Sequence, residues 1–180
     1  MRALSNPLNF LFLCTGNSAR SILGEALATT LSNGRLRGYS AGSHPGGKVN
    51  PFAAELCAQM NYPAQNLRSK SWDEFSAPGA PVMDLIVTVC DNAANEACPV
   101  WLGHPSMAHW GLPDPAAVTG SDAGKRAAFR AIQDAMRKRI EMWLALPFEV
   151  MPMDERRAAM RHIGETAVLD PATERFFPAR

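Results

Sequence analysis

The segment Asn9–Leu13 (NFLFL) is short, apolar and aromatic, and it runs without a break into Cys14-Thr-Gly-Asn-Ser-Ala-Arg-Ser21. A run this short, apolar at successive positions, suits a strand buried on both faces. Such a strand belongs in a parallel sheet, and parallel strands need crossover connections, usually helices. The next residues agree: Ile22 to about Leu31 reads as a helix, closed by Asn33-Gly34. The rest of the chain is then expected to supply strands alternating with helices.

It does so. Arg37–Ala41 reads as a second strand ended by Gly42, and His44–Lys48, with its Pro and two Gly, as a loop. Asn50 is a good N-cap with Pro51 at the first helical position, and Ala53, Leu56, Cys57 and Met60 then share one helical face. On that face Cys57 is expected to be a core thiol. Ser71–Phe75 suits one turn of helix before the breakers Ala77–Pro81. Asp84–Val89 (DLIVTV) is the strongest strand signal and ends at Cys90. Residues 91–107 read as a polar loop and Ala108–Trp110 as a last strand. Asp122–Leu146 reads as a long helix, with Phe129, Ile132, Met136, Ile140 and Trp143 in one stripe and Arg126, Arg130, Arg137 and Lys138 facing out, stopped by Pro147. Asp154–Arg161 suits one more helix and 165–180 a loose tail. The expected fold is an open, mostly parallel four-stranded α/β sheet flanked by helices, with residues 1–146 as the domain and 147–180 as a C-terminal helical extension.

A chain of 180 residues is about one domain, long enough to bury a core unaided. Its net charge of +1 gives no footprint for nucleic acid. No apolar run approaches a membrane span, and the N-terminus lacks a signal-peptide core and cleavage site, so the expected compartment is the cytoplasm. Four cysteines, without a CxxC and without histidines at zinc spacing, argue for free thiols rather than a zinc site or disulfide framework.

The loop after the first strand carries the chemistry. Ligands of open parallel sheets bind beyond the carboxyl ends of the strands, which is where Cys14 falls. Small residues let the backbone N–H groups of Thr15, Gly16, Asn17, Ser18 and Ala19 converge on an anion, at the positive end of the following helix. Arg20 offers a planar fork suited to a tetrahedral oxyanion, and Ser21 a hydrogen bond to the sulfur. In that field Cys14 is expected to be a low-pKa thiolate nucleophile. Asp114-Pro115 places a carboxyl that could protonate a departing oxygen.

Cys14-Thr-Gly-Asn-Ser-Ala-Arg-Ser21 resembles the phosphate-binding loop of the low-molecular-weight tyrosine phosphatases, and more closely that of the arsenate reductases on the same fold. Tyr39-Ser-Ala-Gly42, Thr88-Val-Cys-Asp91, Ala97-Cys-Pro99 and His109-Trp-Gly-Leu-Pro-Asp-Pro115 extend the resemblance over about residues 8–146. It implies a general-acid role for Asp114. Phosphatases of this kind usually follow Asp-Pro with aromatics; here Ala116 and Ala117 follow. It also implies a relay: Cys14 forms an arsenic adduct, Cys90 attacks Cys14 to release arsenite, and Cys98 attacks Cys90, leaving a disulfide for an external reductant. Thioredoxin, or glutaredoxin with glutathione, would be that reductant. Seven residues separate Cys90 from Cys98, against six in thioredoxin-linked members. The resemblance further implies a monovalent cation, potassium, near Asn17, Glu25, Ser40 and Asp73. Arsenate is the expected substrate, with phosphate or sulfate as mimics. The alternatives are an aryl-phosphate phosphatase working through a Cys14 phosphocysteine, and an oxyanion-binding module without turnover.

Overall fold

The computed structural model describes residues 6–177. Expectations for the extreme N-terminus and for the last three residues of the tail lie outside that range. Four parallel strands, β1 (Leu8–Cys14), β2 (Leu36–Gly42), β3 (Leu85–Thr88) and β4 (Ser106–His109), are ordered β2-β1-β3-β4. The central β1 pairs along its full length with β2, Leu8 to Leu36 and Cys14 to Gly42, and with β3 from Phe10 to Leu13. Around the sheet lie α1 (Arg20–Leu31), α2 (Pro51–Gln59), α3 (Asp73–Ser76), α4 (Asp91–Asn95), α5 (Asp122–Leu144), α6 (Met153–Thr166) and α7 (Pro171–Glu174).

Strand alternation divides the core. Phe10 and Phe12 point to one face, where they stack on each other and meet Trp110 and Trp143 edge-on. Leu11 and Leu13 point to the other and pack with Ile86, Phe75 and Trp101. With both faces covered, β1 is apolar and buried from Phe10 to Cys14, as a strand inside a parallel sheet requires. Helix α1 is buried at every position from Ser21 to Ala28, so its few polar side chains, Ser21 and Glu25 among them, are hydrogen-bonded inside the fold rather than facing water. The Asn50 cap forms, its Oδ1 accepting from the Phe52 N–H, and Cys57 is wholly buried. Burial, with Glu25 nearby, pushes the Cys57 thiol up to about 12, so it is an inert core group. The α5 stripe from Phe129 to Trp143 is buried as expected.

Two segments differ from the sequence reading. Residues 91–107 are not one loop: α4 starts immediately after Cys90, and the last strand covers Ser106–His109 rather than Ala108–Trp110. The tail is not loose: α6 runs on to Thr166, α7 follows, and Ala167 and Thr173 are buried. Gly164 is what lets α6 reach the sheet edge. A Cβ there would lie 2.2 Å from the His109 carbonyl oxygen and 2.9 Å from the Trp110 ring. At the same contact the Trp110 indole N–H donates to the Met160 carbonyl at 2.8 Å.

Candidate active site

Cys14 ends β1, and the loop to α1 turns tightly around its sulfur. The carbonyls of Cys14, Thr15, Gly16 and Ser18 accept from the N–H groups of Ser43, His44, Gly46 and Asn50, at 3.3, 2.9, 3.1 and 2.9 Å. With its carbonyls committed to the β2–α2 connection, the loop presents its N–H groups to the opposite side. There lies a cavity of about 190 Å³, the scale of one small ion with its waters, lined by Cys14–Gly16, Ser18–Arg20, Cys90, Asn92 and Asp114. Asn17 and Ser21 do not line it; they are fully buried behind it. Asn17 sits at φ +45°, a left-handed turn that asparagine tolerates.

These two residues hold the sulfur. The Asn17 N–H donates to Cys14 Sγ at 3.1 Å, and its side-chain Nδ2 donates to Ser21 Oγ at 2.9 Å. Ser21 Oγ lies 2.9 Å from Cys14 Sγ. Since Asn17 already donates to that hydroxyl, the Ser21 proton is free to point at the sulfur.

The Cys14 thiol nonetheless departs from expectation. Burial is the largest influence and pushes it above its ordinary value; the Ser21 hydroxyl pulls it down, neighbouring Cys90 pushes it up, and the Asn17 N–H and Arg20 pull it down less. Arg20 is a weak influence because it is turned elsewhere. Its Nη1 donates to the Leu112 carbonyl at 2.8 Å, and its Nη2 lies 3.8 Å from Asp114 Oδ2. Arg20 therefore ties the loop to the segment bearing Asp114. Asp114 caps the 3₁₀ turn 115–117, its Oδ1 accepting from the Ala116 N–H at 3.0 Å, while the rest of the carboxyl faces the cavity.

Cys90 is buried at the end of the β3 segment, its Sγ 3.6 Å from Thr15 Oγ1 and on the wall of the same cavity as Cys14. It also caps α4, accepting from the Ala93 N–H at 3.4 Å. Cys98 is exposed beyond α4 and does not line the cavity; partial desolvation of its sulfur, and then Glu96, push its thiol above the ordinary value. All four cysteines are free. His109, to which sequence reading gave no role, bridges two residues of the segment that carries Cys90: its Nδ1 lies 2.7 Å from Thr88 Oγ1 and its Nε2 3.0 Å from Asp91 Oδ1. The signal was its place in the His109–Pro115 motif, but only the strand register that pairs it with Thr88 shows the contact.

The residues expected around potassium are rearranged. Glu25 and Ser40 are buried together, Ser40 Oγ donating to Glu25 Oε2 and Tyr62 Oη donating to Glu25 Oε1 at 2.6 Å. Into this pair reaches Lys70 Nζ, 3.3 Å from Glu25 Oε2, 3.3 Å from Ser40 Oγ and 3.2 Å from the Arg68 carbonyl. The Lys70 N–H donates to Asn17 Oδ1 at 2.8 Å. Asp73 is exposed at the start of α3 and bonds to none of Asn17, Glu25 or Ser40. The donor set therefore does not fit a metal ion, because an ammonium group already fills it. Among the described residues no group of three or more His, Cys, Asp and Glu converges as a metal site, and no helix is long and apolar enough to cross a membrane.

Outside the small cavity a wider cleft continues past Asp114, walled by Leu112, Pro113, Val118 and, from the C-terminal segment, Phe176 and Phe177.

The sequence profile of the low-molecular-weight phosphotyrosine protein phosphatases matches residues 9–153. An arsenate reductase of Halalkalibacterium halodurans is 36% identical over 130 residues, 72% of this chain and 90% of that protein. One from Bacillus subtilis is 35% identical over the same shares. Among solved structures, an arsenate reductase from Archaeoglobus fulgidus superposes with a TM-score of 0.58 at 24% identity, covering 76% of this chain and 99% of that one. A thioredoxin-dependent arsenate reductase from Corynebacterium glutamicum gives 0.55 at 20% identity, covering 82% of this chain and 66% of that one.

Proposed function

The chain belongs to the low-molecular-weight phosphotyrosine protein phosphatase family, and from that premise we propose that it is an arsenate reductase. The observation that carries this reading is that Cys90, a second thiol, borders the same small cavity as Cys14. A phosphatase needs one cysteine; a two-electron reduction needs a pair that can end as a disulfide. The names of the curated relatives support the same reading.

In the proposed reaction arsenate enters the cavity against the loop N–H groups and Arg20. The Cys14 thiolate, favoured by Ser21 and the Asn17 N–H, attacks arsenic. An S–As bond forms, and an arsenic-bound hydroxyl takes a proton from Asp114 and leaves as water. Cys90 then attacks Cys14 Sγ. The S–As bond breaks with its electron pair on arsenic, which departs as arsenite. Cys98 attacks Cys90, Cys14 leaves as a thiolate, and a Cys90–Cys98 disulfide remains. The two electrons gained by arsenic equal the two lost by the thiols. For the last exchange Cys98 must approach Cys90 from its exposed position beyond α4.

An external thiol reductant closes the cycle. The thioredoxin dependence named for the Corynebacterium glutamicum protein supports thioredoxin here, with glutaredoxin and glutathione as the other candidates. Four free cysteines support a reducing compartment, the cytoplasm. Residues 147–177 serve as an extension packed on the sheet edge through α6. Ala116 and Ala117, exposed beside Asp114, supply no aromatic wall themselves, and the aromatics of the adjoining cleft are Phe176 and Phe177 of the C-terminal segment; together with the shared loop they support slow aryl-phosphate cleavage as a side activity.

The test is arsenite production from arsenate with thioredoxin or glutaredoxin systems, comparing wild type with Cys98→Ser and following p-nitrophenyl phosphate hydrolysis in parallel. Arsenite from wild type and its loss in Cys98→Ser are expected. No arsenite with either donor, beside brisk aryl-phosphate turnover, would make this a phosphatase.

A further inference from the structure

We propose that the Lys70 ammonium is a built-in cation that locks the oxyanion loop in its binding shape, standing where the resemblance to relatives puts a monovalent metal ion. The proposal rests on reading the Cys14 loop as an oxyanion site, but not on the identity of the reaction.

Lys70 is 7% exposed and Glu25 5%, so both charges lie out of water. All three ammonium protons have acceptors: Glu25 Oε2, Ser40 Oγ and the Arg68 carbonyl. Both carboxylate oxygens of Glu25 have donors, Tyr62 on Oε1 and Lys70 with Ser40 on Oε2. The cluster is thus closed in hydrogen bonds and neutral in charge. A metal ion added to it would have to displace the Lys70 ammonium or leave one buried positive charge uncompensated, which is strongly unfavourable. An ammonium head and a potassium ion have similar size and equal charge, so the lysine can do an ion's electrostatic work without dissociating.

The same residue reaches the nucleophile through its backbone. The Lys70 N–H holds Asn17 Oδ1, and its carbonyl accepts from the Gly42 N–H at 2.9 Å. Asn17 in turn donates to Cys14 Sγ through its main chain and to Ser21 Oγ through its side chain. One residue therefore ties α1 at Glu25 and β2 at Ser40 to the left-handed turn of the loop. Removing its charge frees the Lys70 side chain from both elements, and the strain of Asn17 at φ +45° is then opposed by fewer contacts. Lys70 does not line the cavity, so it is a positioning residue.

The experiment follows carbamidomethylation of Cys14 by iodoacetamide, mapped by peptide mass spectrometry, and its protection by inorganic phosphate. It is run in potassium chloride and in choline chloride at equal ionic strength. Wild type is expected to give one protection constant in both salts. Lys70→Met, which keeps the length but not the charge, is expected to weaken protection about tenfold or more in both, the usual scale for lost supporting contacts behind a binding site. Lys70→Ala, which leaves space, is expected to weaken it likewise in choline and to recover in potassium. Lys70→Arg is expected to stay within a few-fold of wild type. A potassium-dependent wild type would overturn the proposal. So would Lys70→Met protected as well as wild type, or no difference between salts in Lys70→Ala. If Met and Ala variants do not fold, the wild-type salt comparison and Lys70→Arg still decide. Absence of phosphate protection in wild type would overturn the oxyanion reading and this proposal together, whereas failure to make arsenite would not touch either.

Discussion

Ser21→Ala isolates the one side chain that most favours the Cys14 thiolate. In the structure the Ser21 hydroxyl is 2.9 Å from Cys14 Sγ and is the largest of the influences that lower the thiol, set against burial that raises it. A hydrogen bond to a charged partner contributes about 1.5–3 kcal/mol. At 1.36 kcal/mol per unit, its loss moves the thiol up by roughly 1–2 pKa units. The sign follows from what is lost: the hydroxyl stabilises the anionic form, so without it the thiolate appears only at higher pH. Well below the thiol pKa, the thiolate fraction then falls by about 10–100-fold. The assay is the rate of Cys14 carbamidomethylation against pH, with arsenate turnover over the same range. The expected result is an alkaline shift of both profiles, with recovery of rate at high pH. Ser21→Thr keeps a hydroxyl and is expected to stay near wild type. An unshifted alkylation profile in Ser21→Ala would refute the reasoning, because it would mean that Ser21 does not donate to the sulfur. Asn17 Nδ2 also loses its acceptor, so a lower Tm is expected beside the shift but cannot produce it.

Asp114→Asn keeps the shape of the 115–117 turn and removes the proton, so kcat is expected to fall by about 10²–10⁴ with arsenate binding little changed; steady-state kinetics check it, and an unchanged kcat would take the acid role from Asp114. Gly164→Ala pushes a methyl against the His109 carbonyl and Trp110. Overpacking of this kind costs about 1–3 kcal/mol, or roughly 2–12 °C in Tm for a chain of this size, read by thermal melting. Arg35 holds the Glu149 carboxyl below its ordinary value of 4.5, chiefly by hydrogen bonding. A carboxyl depressed on folding stabilises above its unfolded pKa and loses that effect as pH falls through the folded one. Glu149→Gln is therefore expected to be less stable than wild type by about 0.2–1 kcal/mol at pH 7, with the gap closing below pH 4.5 in denaturant titrations.

The elements that sequence made legible are those whose cause is local. β1 announces itself because both its faces are buried, and α2 because Asn50 and Pro51 mark its first turn. The loop of Cys14 to Ser21 was legible because its chemistry is contiguous. What escaped depends on contacts distant in sequence. Lys70 is the kind of residue normally left in water, and only the meeting of α1, β2 and residue 70 buries it beside Glu25. The short helix α4 is capped by a cysteine sulfur, which is not one of the usual N-cap side chains. The tail is ordered by α6 packing through Gly164, a close approach no periodicity reveals. The sequence points to a low Cys14 thiol through the helix N-terminus, the loop N–H groups and Arg20 together. In space Arg20 serves Leu112 and Asp114 first, and burial governs the sulfur.

The most direct measurement of the central claim is an electron count on one turnover. Reduced protein is mixed with arsenate in the absence of any reductant, arsenite is quantified per chain, free thiols are titrated, and disulfides are mapped by mass spectrometry. One arsenite per chain is expected, with the loss of two of the four thiols and a Cys90–Cys98 disulfide that leaves Cys14 and Cys57 free. Arsenite without loss of thiols, or four free thiols and no arsenite, would contradict the central claim.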